Sequence, residues 1–180
     1  MEHYAVTKYV NELYADVFHR AYELNTVGLR YFNVFGPLQD PNGAYAAVIP
    51  KWISSLLKGL PVYINGDGKT SRDFCFIENA VQANILAGTS TKKEALNTIF
   101  NVAVGEQTSL NKLFKIIQQE LKNLDNTINL KQAEYRDFRE GDVKHSLADI
   151  TKARSLLGYN PSHKVDEGIK ETVKWHYSNL

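Results

Sequence analysis

The 180-residue chain contains a single cysteine, Cys75, so no disulfide can form within it. A lone thiol fits a reducing compartment, and a cytoplasmic location is the expectation. Excess charge is also missing: 21 basic residues face 20 acidic ones, for a formal net charge of +1. That balance offers no electrostatic footing to nucleic acid or to an anionic membrane. No apolar run approaches the roughly 18 residues that a membrane span requires. The opening Met1-Glu2-His3-Tyr4 leads into no apolar stretch and is not expected to be a secretory signal. The five histidines, His3, His19, His145, His163 and His176, lack ligand spacing, so no metal site is expected. No serine sits in a nucleophile elbow, and there is no internal repeat.

Hydrophobic residues make up 43% of the chain, enough for a sizeable core. Apolar residues recur every three or four positions from Tyr4 to Leu24, which predicts a helix. Thr26 to Phe32 reads as a buried strand, and Gly36, Pro37, Pro41, Asn42 and Gly43 as a loop. A helix is expected from about Val48 to Lys58, with Pro50 in its first turn and Gly59 as its stop. Val62 to Ile64 is a short strand, Asn65 to Gly68 a turn, and Ser71 to Phe76 extended. Further helices are expected over Glu78–Ala87, Ser109–Asn123 with Thr108 as N-cap, Ile150–Leu157 and Val165–Tyr177. Further strands are expected over Thr98–Val104 and Ile128–Gln132. Alternation of strands and helices makes the class α/β. A doubly wound fold normally opens on a strand and a glycine-rich phosphate turn, whereas this chain opens on a helix.

Tyr4 and Lys8 form a Tyr-x-x-x-Lys pair whose i, i+4 spacing puts both on one helix face. A neighbouring ammonium favours a phenolate, which can serve as general base toward a hydroxyl. The same pair is common on solvated helix faces. Gly66-Asp-Gly68-Lys69-Thr70 imitates two phosphate motifs and satisfies neither: a P-loop needs glycine where Tyr63 stands, and the dinucleotide fingerprint needs one where Ser71 stands. Arg72, Arg136, Arg139 and Lys144 could clamp a pyrophosphate. In Arg139-Glu-Gly-Asp142, the flexible Gly141 could aim both charged ends at one ligand.

Tyr4-Ala-Val-Thr-Lys8, Leu29-Arg-Tyr-Phe-Asn-Val-Phe-Gly36, Asn65-Gly-Asp-Gly68, Arg72-Asp-Phe74 and Arg139-Glu-Gly-Asp142 occur here in a telling order. In that order they resemble the extended short-chain dehydrogenases that act on nucleotide sugars, the NAD-dependent epimerase/dehydratase family. The wording of Asp40–Pro50 and Tyr135–Asp142 looks most like the bacterial UDP-N-acetylglucosamine 4-epimerases of surface-polysaccharide and lipopolysaccharide synthesis. The resemblance implies a carboxy-terminal half: residues 1–40 as a remnant of the Rossmann-type NAD-binding domain, and 41–180 as the smaller α/β UDP-sugar domain, with short segments returning to the Rossmann part. It implies Tyr4 as the base and a cofactor-binding residue, Lys8 as the group that tunes it and holds the nicotinamide ribose of NAD, and Phe32 near the nicotinamide. On the substrate side it implies Asn33, Ala47, Val48, Tyr63, Ile64, Asn65, Arg72, Arg139 and Asp142. Ser146, a small residue, would leave room for an N-acetyl group. Complete members carry a long segment before the Tyr-x-x-x-Lys helix, so the chain alone is expected to be inactive. The alternatives are a nucleotide-sugar dehydratase or decarboxylase of the same family, or a non-catalytic UDP-binding or assembly fragment. The apolar flanks of the first helix imply a homo-oligomer.

Overall fold

Two apolar cores organise the chain, and the sequence shows how each is assembled. A computed structural model describes residues 3–43, 47–138 and 141–180. Helix α1 (His3–Tyr22) is followed by strands β1 (Val27–Tyr31) and β2 (Asn33–Phe35), then α2 (Val48–Leu57). Strand β3 (Val62–Asn65) leads through a turn to β4 (Ser71–Arg72) and β5 (Phe74–Phe76), and α3 (Ile77–Thr89) starts directly after. Strands β6 (Thr98–Val102) and β7 (Thr108–Ser109), helix α4 (Leu110–Leu124), strand β8 (Ala133–Arg136), a π-helical turn (Ala153–Leu157) and α5 (Val165–Asn179) complete it. The fold is α/β, as the alternation implied.

The strands pair in short ladders: β1 with β6, β2 with β5 and β3 with β8 run parallel, and β4 with β7 antiparallel. The chain from β1 into β2 changes partner at one residue. The Phe32 N–H still donates to Val102 O, while the Asn33 N–H donates to Asp73 O. Among the described residues no glycine-rich turn joins a strand to a following helix.

One core gathers Phe35 and Phe76 with Trp52, Ile53, Ile64, Leu113, Ile117 and Ile169. In α2, Ile49, Trp52, Ile53 and Leu56 share the buried face, the 3.6-residue stripe that holds an amphipathic helix down. Gly168 lets α5 lie against the sheet: a Cβ there would stand 2.7 Å from the Phe76 ring. The second core joins Phe100, Val102, Ala148, Ile150, Leu157 and Tyr159 to partly buried Val27, Leu29, Phe32 and Val34. Its members come from both ends of the sequence, so the two cores are interleaved along the chain.

Two sequence expectations are corrected. The N-cap of α4 is Ser109, whose hydroxyl accepts from the Lys112 N–H at 3.2 Å; Thr108 is buried in β7. The strand expected over 128–132 lies at Ala133–Arg136. Ile128 and Leu130 do alternate, but their partly buried side chains pack on the first core outside any ladder. The ladder forms where the backbone meets β3, from Val62↔Ala133 to Asn65↔Arg136, and those β8 side chains are mostly exposed.

Candidate functional site

A cavity of about 270 Å³ opens at the ends of β2, β3 and β4, roofed by the start of α2. Seven of the residues singled out from the sequence line it: Asn33, Ala47, Val48, Tyr63, Asn65, Arg72 and Asp142. Strand alternation explains part of this grouping. Along β3, Val62 and Ile64 are buried while Tyr63 and Asn65 face outward, so Tyr63 and Asn65 reach the cavity. Ile64, also singled out, is in the first core instead.

Arg72 is held firmly. Its Nη2 donates to Asp142 Oδ1 at 2.7 Å, and its Nη1 donates to the carbonyls of Ser71 (3.0 Å) and Lys144 (3.4 Å). The Arg72 side chain is only 16% exposed against 42% for Asp142, so the pair marks where the buried cavity meets solvent. The Arg136 guanidinium stacks on the Tyr63 ring, 3.2 Å from its centroid, a cation–π contact that stiffens the aromatic wall. Ser146 is tied beside the cavity, its N–H donating to Ser71 O at 3.1 Å, but it is not a lining residue. Arg139 lies outside the described residues.

The turn feeding the cavity wall depends on two glycines. Gly66 and Gly68 have φ of +75° and +71°, and a Cβ at Gly66 would strike the Phe138 ring while one at Gly68 would strike the Asn111 carboxamide. The glycines of the near-miss phosphate motif are thus explained by backbone shape and close packing.

Tyr4 and Lys8 belong to a different, larger cavity of about 890 Å³ between α1 and β1. Lys8 Nζ lies 5.0 Å from the Tyr4 ring centroid, the contact that i, i+4 spacing allows. Tyr4 is 70% exposed. Helix α1 is tied across this cavity by the Arg30 fork, which donates to both oxygens of Glu12 and holds that carboxyl below its ordinary range. The two cavities adjoin where β1 passes into β2: Tyr31 lines the larger, and Asn33, two residues on, the smaller. Phe32, between them, packs into the second core.

Several residues were not visible as site residues in the sequence. Trp52, Thr70 and Leu110 also line the smaller cavity, and nothing in their spacing separates them from core. Asp73 is the larger omission. Fully buried, it accepts from the N–H groups of Val104 (3.0 Å), Gly105 (3.0 Å) and Ala148 (3.3 Å). It thereby ties β5 to the loop after β6 and to the segment that follows the cavity-lining Asp142. The available signal was its setting: Asp73 stands between β4 and β5, directly before three buried residues, Phe74 to Phe76, where an unpaired carboxylate would be costly.

Residues 1–103 match the family described as NAD dependent epimerase/dehydratase. The chain belongs to this family. A putative UDP-glucose 4-epimerase of Methanocaldococcus jannaschii is 38% identical over 176 residues, covering 98% of this chain and 53% of the relative. The structure of a UDP-N-acetylglucosamine 4-epimerase from Methanobrevibacter ruminantium, in complex with UDP-N-acetylmuramic acid, superposes with a TM-score of 0.87. It is 45% identical and covers 98% of this chain and 54% of that one. A UDP-N-acetyl-α-D-glucosaminuronate decarboxylase of Bacillus cytotoxicus is 27% identical over 147 residues, covering 82% of this chain and 44% of the relative. The chain therefore spans about half the length of the curated relatives it matches. Among the described residues no helix is long and apolar enough to cross a membrane, and no group of three or more potential ligands gathers for a metal.

The family's NAD finds a partial fit in these residues. The Tyr4 hydroxyl and the Lys8 ammonium, whose Nζ lies 5.0 Å from the Tyr4 ring centroid, both line the larger cavity and are groups of the kind a ribose can hydrogen-bond. A cradle of backbone N–H groups for its pyrophosphate is not among the described strand–helix joints.

Proposed function

We propose that this chain forms the substrate-binding part, and the Tyr-x-x-x-Lys helix, of a UDP-sugar 4-epimerase acting on UDP-N-acetylglucosamine and UDP-N-acetylgalactosamine. The observation that carries the reading is the smaller cavity, where seven residues expected to hold a nucleotide sugar converge. In this reading residues 1–40 close the NAD-binding domain and 41–180 form the UDP-sugar domain, with short segments returning. Arg72, steadied by Asp142, neutralises the diphosphate. Tyr63, with Arg136 behind it, offers a flat wall to the base. Asn33 reaches toward the sugar side, and the small Ser146 leaves space for an acetamido group.

Bound NAD would supply the hydride acceptor for the sugar carbon. Tyr4 takes the proton from the adjoining hydroxyl and returns it when the configuration has inverted. Lys8 steadies the phenolate and holds the cofactor ribose. These steps belong to the whole enzyme; the chain by itself is proposed to bind UDP weakly without turnover. Joining the chain to the amino-terminal half of a 4-epimerase relative and assaying UDP-N-acetylglucosamine tests the reaction. Formation of UDP-N-acetylgalactosamine supports it, and bound NAD without that product refutes it. The decarboxylase relative favours one second reading: release of carbon dioxide from a UDP-uronate in the same assay would establish it.

The chain is also proposed to self-associate. Along α1, Val6, Tyr9, Val10, Leu13, Tyr14, Val17 and Phe18 are all exposed, and burying such area stabilises by about 25 cal/mol per Å². Sedimentation at micromolar concentration tests this, and a clean monomer without dye-binding apolar surface ends it.

A further inference from the structure

We propose that Ser71 and His145 are positioning residues for the Arg72 guanidinium, an inference that rests on reading the smaller cavity as a nucleoside-diphosphate site. All three groups that grip the guanidinium come from β4 itself or from one short segment, residues 142–144: Asp142 Oδ1, Ser71 O and Lys144 O. What fixes that segment against β4 therefore fixes Arg72. On its other edge β4 is already occupied by β7.

Besides the Arg72 side chain's own bonds to Asp142 and Lys144, the segment meets β4 through two backbone bonds and one side-chain bond. The Ser71 N–H donates to Lys144 O at 2.9 Å, and the Ser146 N–H donates to Ser71 O at 3.1 Å. Between them, Ser71 Oγ and His145 Nδ1 are 2.9 Å apart. Ser71 is buried, whereas the His145 ring lies in an exposed position. A buried hydroxyl without a partner is costly, so the imidazole is drawn onto β4 and brings its neighbours with it. Just upstream, Gly141 takes a φ of +77° and turns the chain into Asp142. The His145 anchor limits how far that turn can swing.

The consequence is specific. If the anchor is lost, Asp142 and the Lys144 carbonyl can drift from Arg72, and the guanidinium is no longer pre-set before a diphosphate arrives. The ordering cost then falls on binding. The far wall, Tyr63 with Arg136, does not depend on this bond, so recognition of the base is spared.

Calorimetric titration of the full chain with UDP, and NMR titration with uridine, separate these effects. In H145A and S71A the UDP affinity falls about tenfold while that for uridine stays within about twofold. The double variant is no weaker than either single one, because both remove the same bond. H145N, whose amide sits near the place of Nδ1, recovers most of the UDP affinity. If H145A binds UDP as the wild type does, or weakens UDP and uridine alike, the positioning role is overturned and the nucleotide reading stands. If the wild type binds no UDP, both fall.

Discussion

Replacing Asp73 by alanine removes the acceptor for three backbone N–H groups, those of Val104 and Ala148 buried and that of Gly105 half-buried, at 3.0, 3.3 and 3.0 Å. Each buried donor left unpaired costs about 1–3 kcal/mol. The full sum is not reached, because the burial cost of the carboxylate is removed with it and water can enter part of the space. A net loss of about 2–4 kcal/mol is expected. With a urea m-value near 2 kcal/mol per M, the unfolding midpoint drops by roughly 1–2 M. Asp73→Asn keeps the shape but turns an amide donor toward other donors, and it falls between alanine and wild type. pH adds a second arm. Burial pushes the Asp73 carboxyl above its ordinary range, against the opposing pull of the three N–H groups. The folded chain then holds this proton more tightly than the unfolded chain, whose carboxyl titrates near about 3.9. The group's contribution is therefore complete below that value and is lost as pH rises through the folded pKa. Urea titrations of wild type and Asp73→Asn across this window should show stability declining in the wild type relative to the variant, since the lowered carboxyls such as Glu12 contribute alike to both. A midpoint shift under about 0.3 M for Asp73→Ala refutes the assignment of Asp73 as the tie between these segments, and parallel pH slopes refute the upward shift that burial imposes on its carboxyl.

Arg72→Ala should weaken UDP binding by about 2–3 kcal/mol, with Arg72→Lys intermediate because a point charge cannot replace the fork; calorimetry checks both. Tyr4→Phe should leave UDP affinity of the chain unchanged while abolishing epimerisation in the joined enzyme, which separates proton transfer from binding. His176 is fully buried, with both ring nitrogens lacking partners among the described residues, and burial lowers its pKa. The unfolded chain gains a proton near about pH 6.5, so stability falls as pH drops below that, by up to about 1.4 kcal/mol per unit. His176→Phe should flatten that slope in urea titrations, and an unchanged slope would refute it. Charged substitutions at Leu13 and Val17 should convert an oligomer to monomer in sedimentation without loss of UDP binding.

The elements with strong local signals were legible in the sequence. The α2 stripe of Ile49, Trp52, Ile53 and Leu56 and the stop at Gly59 lie where periodicity and turn chemistry put them. The partner of each strand was not, because parallel ladders join distant segments: β8 is an exposed strand whose only signal is the β3 edge beside it. Ser109 and Thr108 are equivalent capping residues by type, and what separates them is tertiary: Thr108 is buried while the Ser109 hydroxyl reaches the Lys112 N–H. In the candidate site, seven of the singled-out residues converge on the smaller cavity while Tyr4 and Lys8 line the larger one and Ile64 lies in the core, and Trp52 and Thr70 were indistinguishable from core. Ser71 and His145 lie 74 positions apart, a separation at which sequence spacing carries no information about contact. The cavities themselves arise from tertiary packing and could not be read from composition.

The central claim is that the smaller cavity receives the nucleoside diphosphate of a UDP-sugar. Titrating the purified chain with UDP and, separately, with NAD measures it most directly. The account predicts saturable UDP binding with a Kd roughly between micromolar and millimolar, abolished or strongly weakened by Arg72→Ala, and much weaker binding of NAD. Tight NAD binding without UDP binding, or UDP binding indifferent to Arg72, would contradict it.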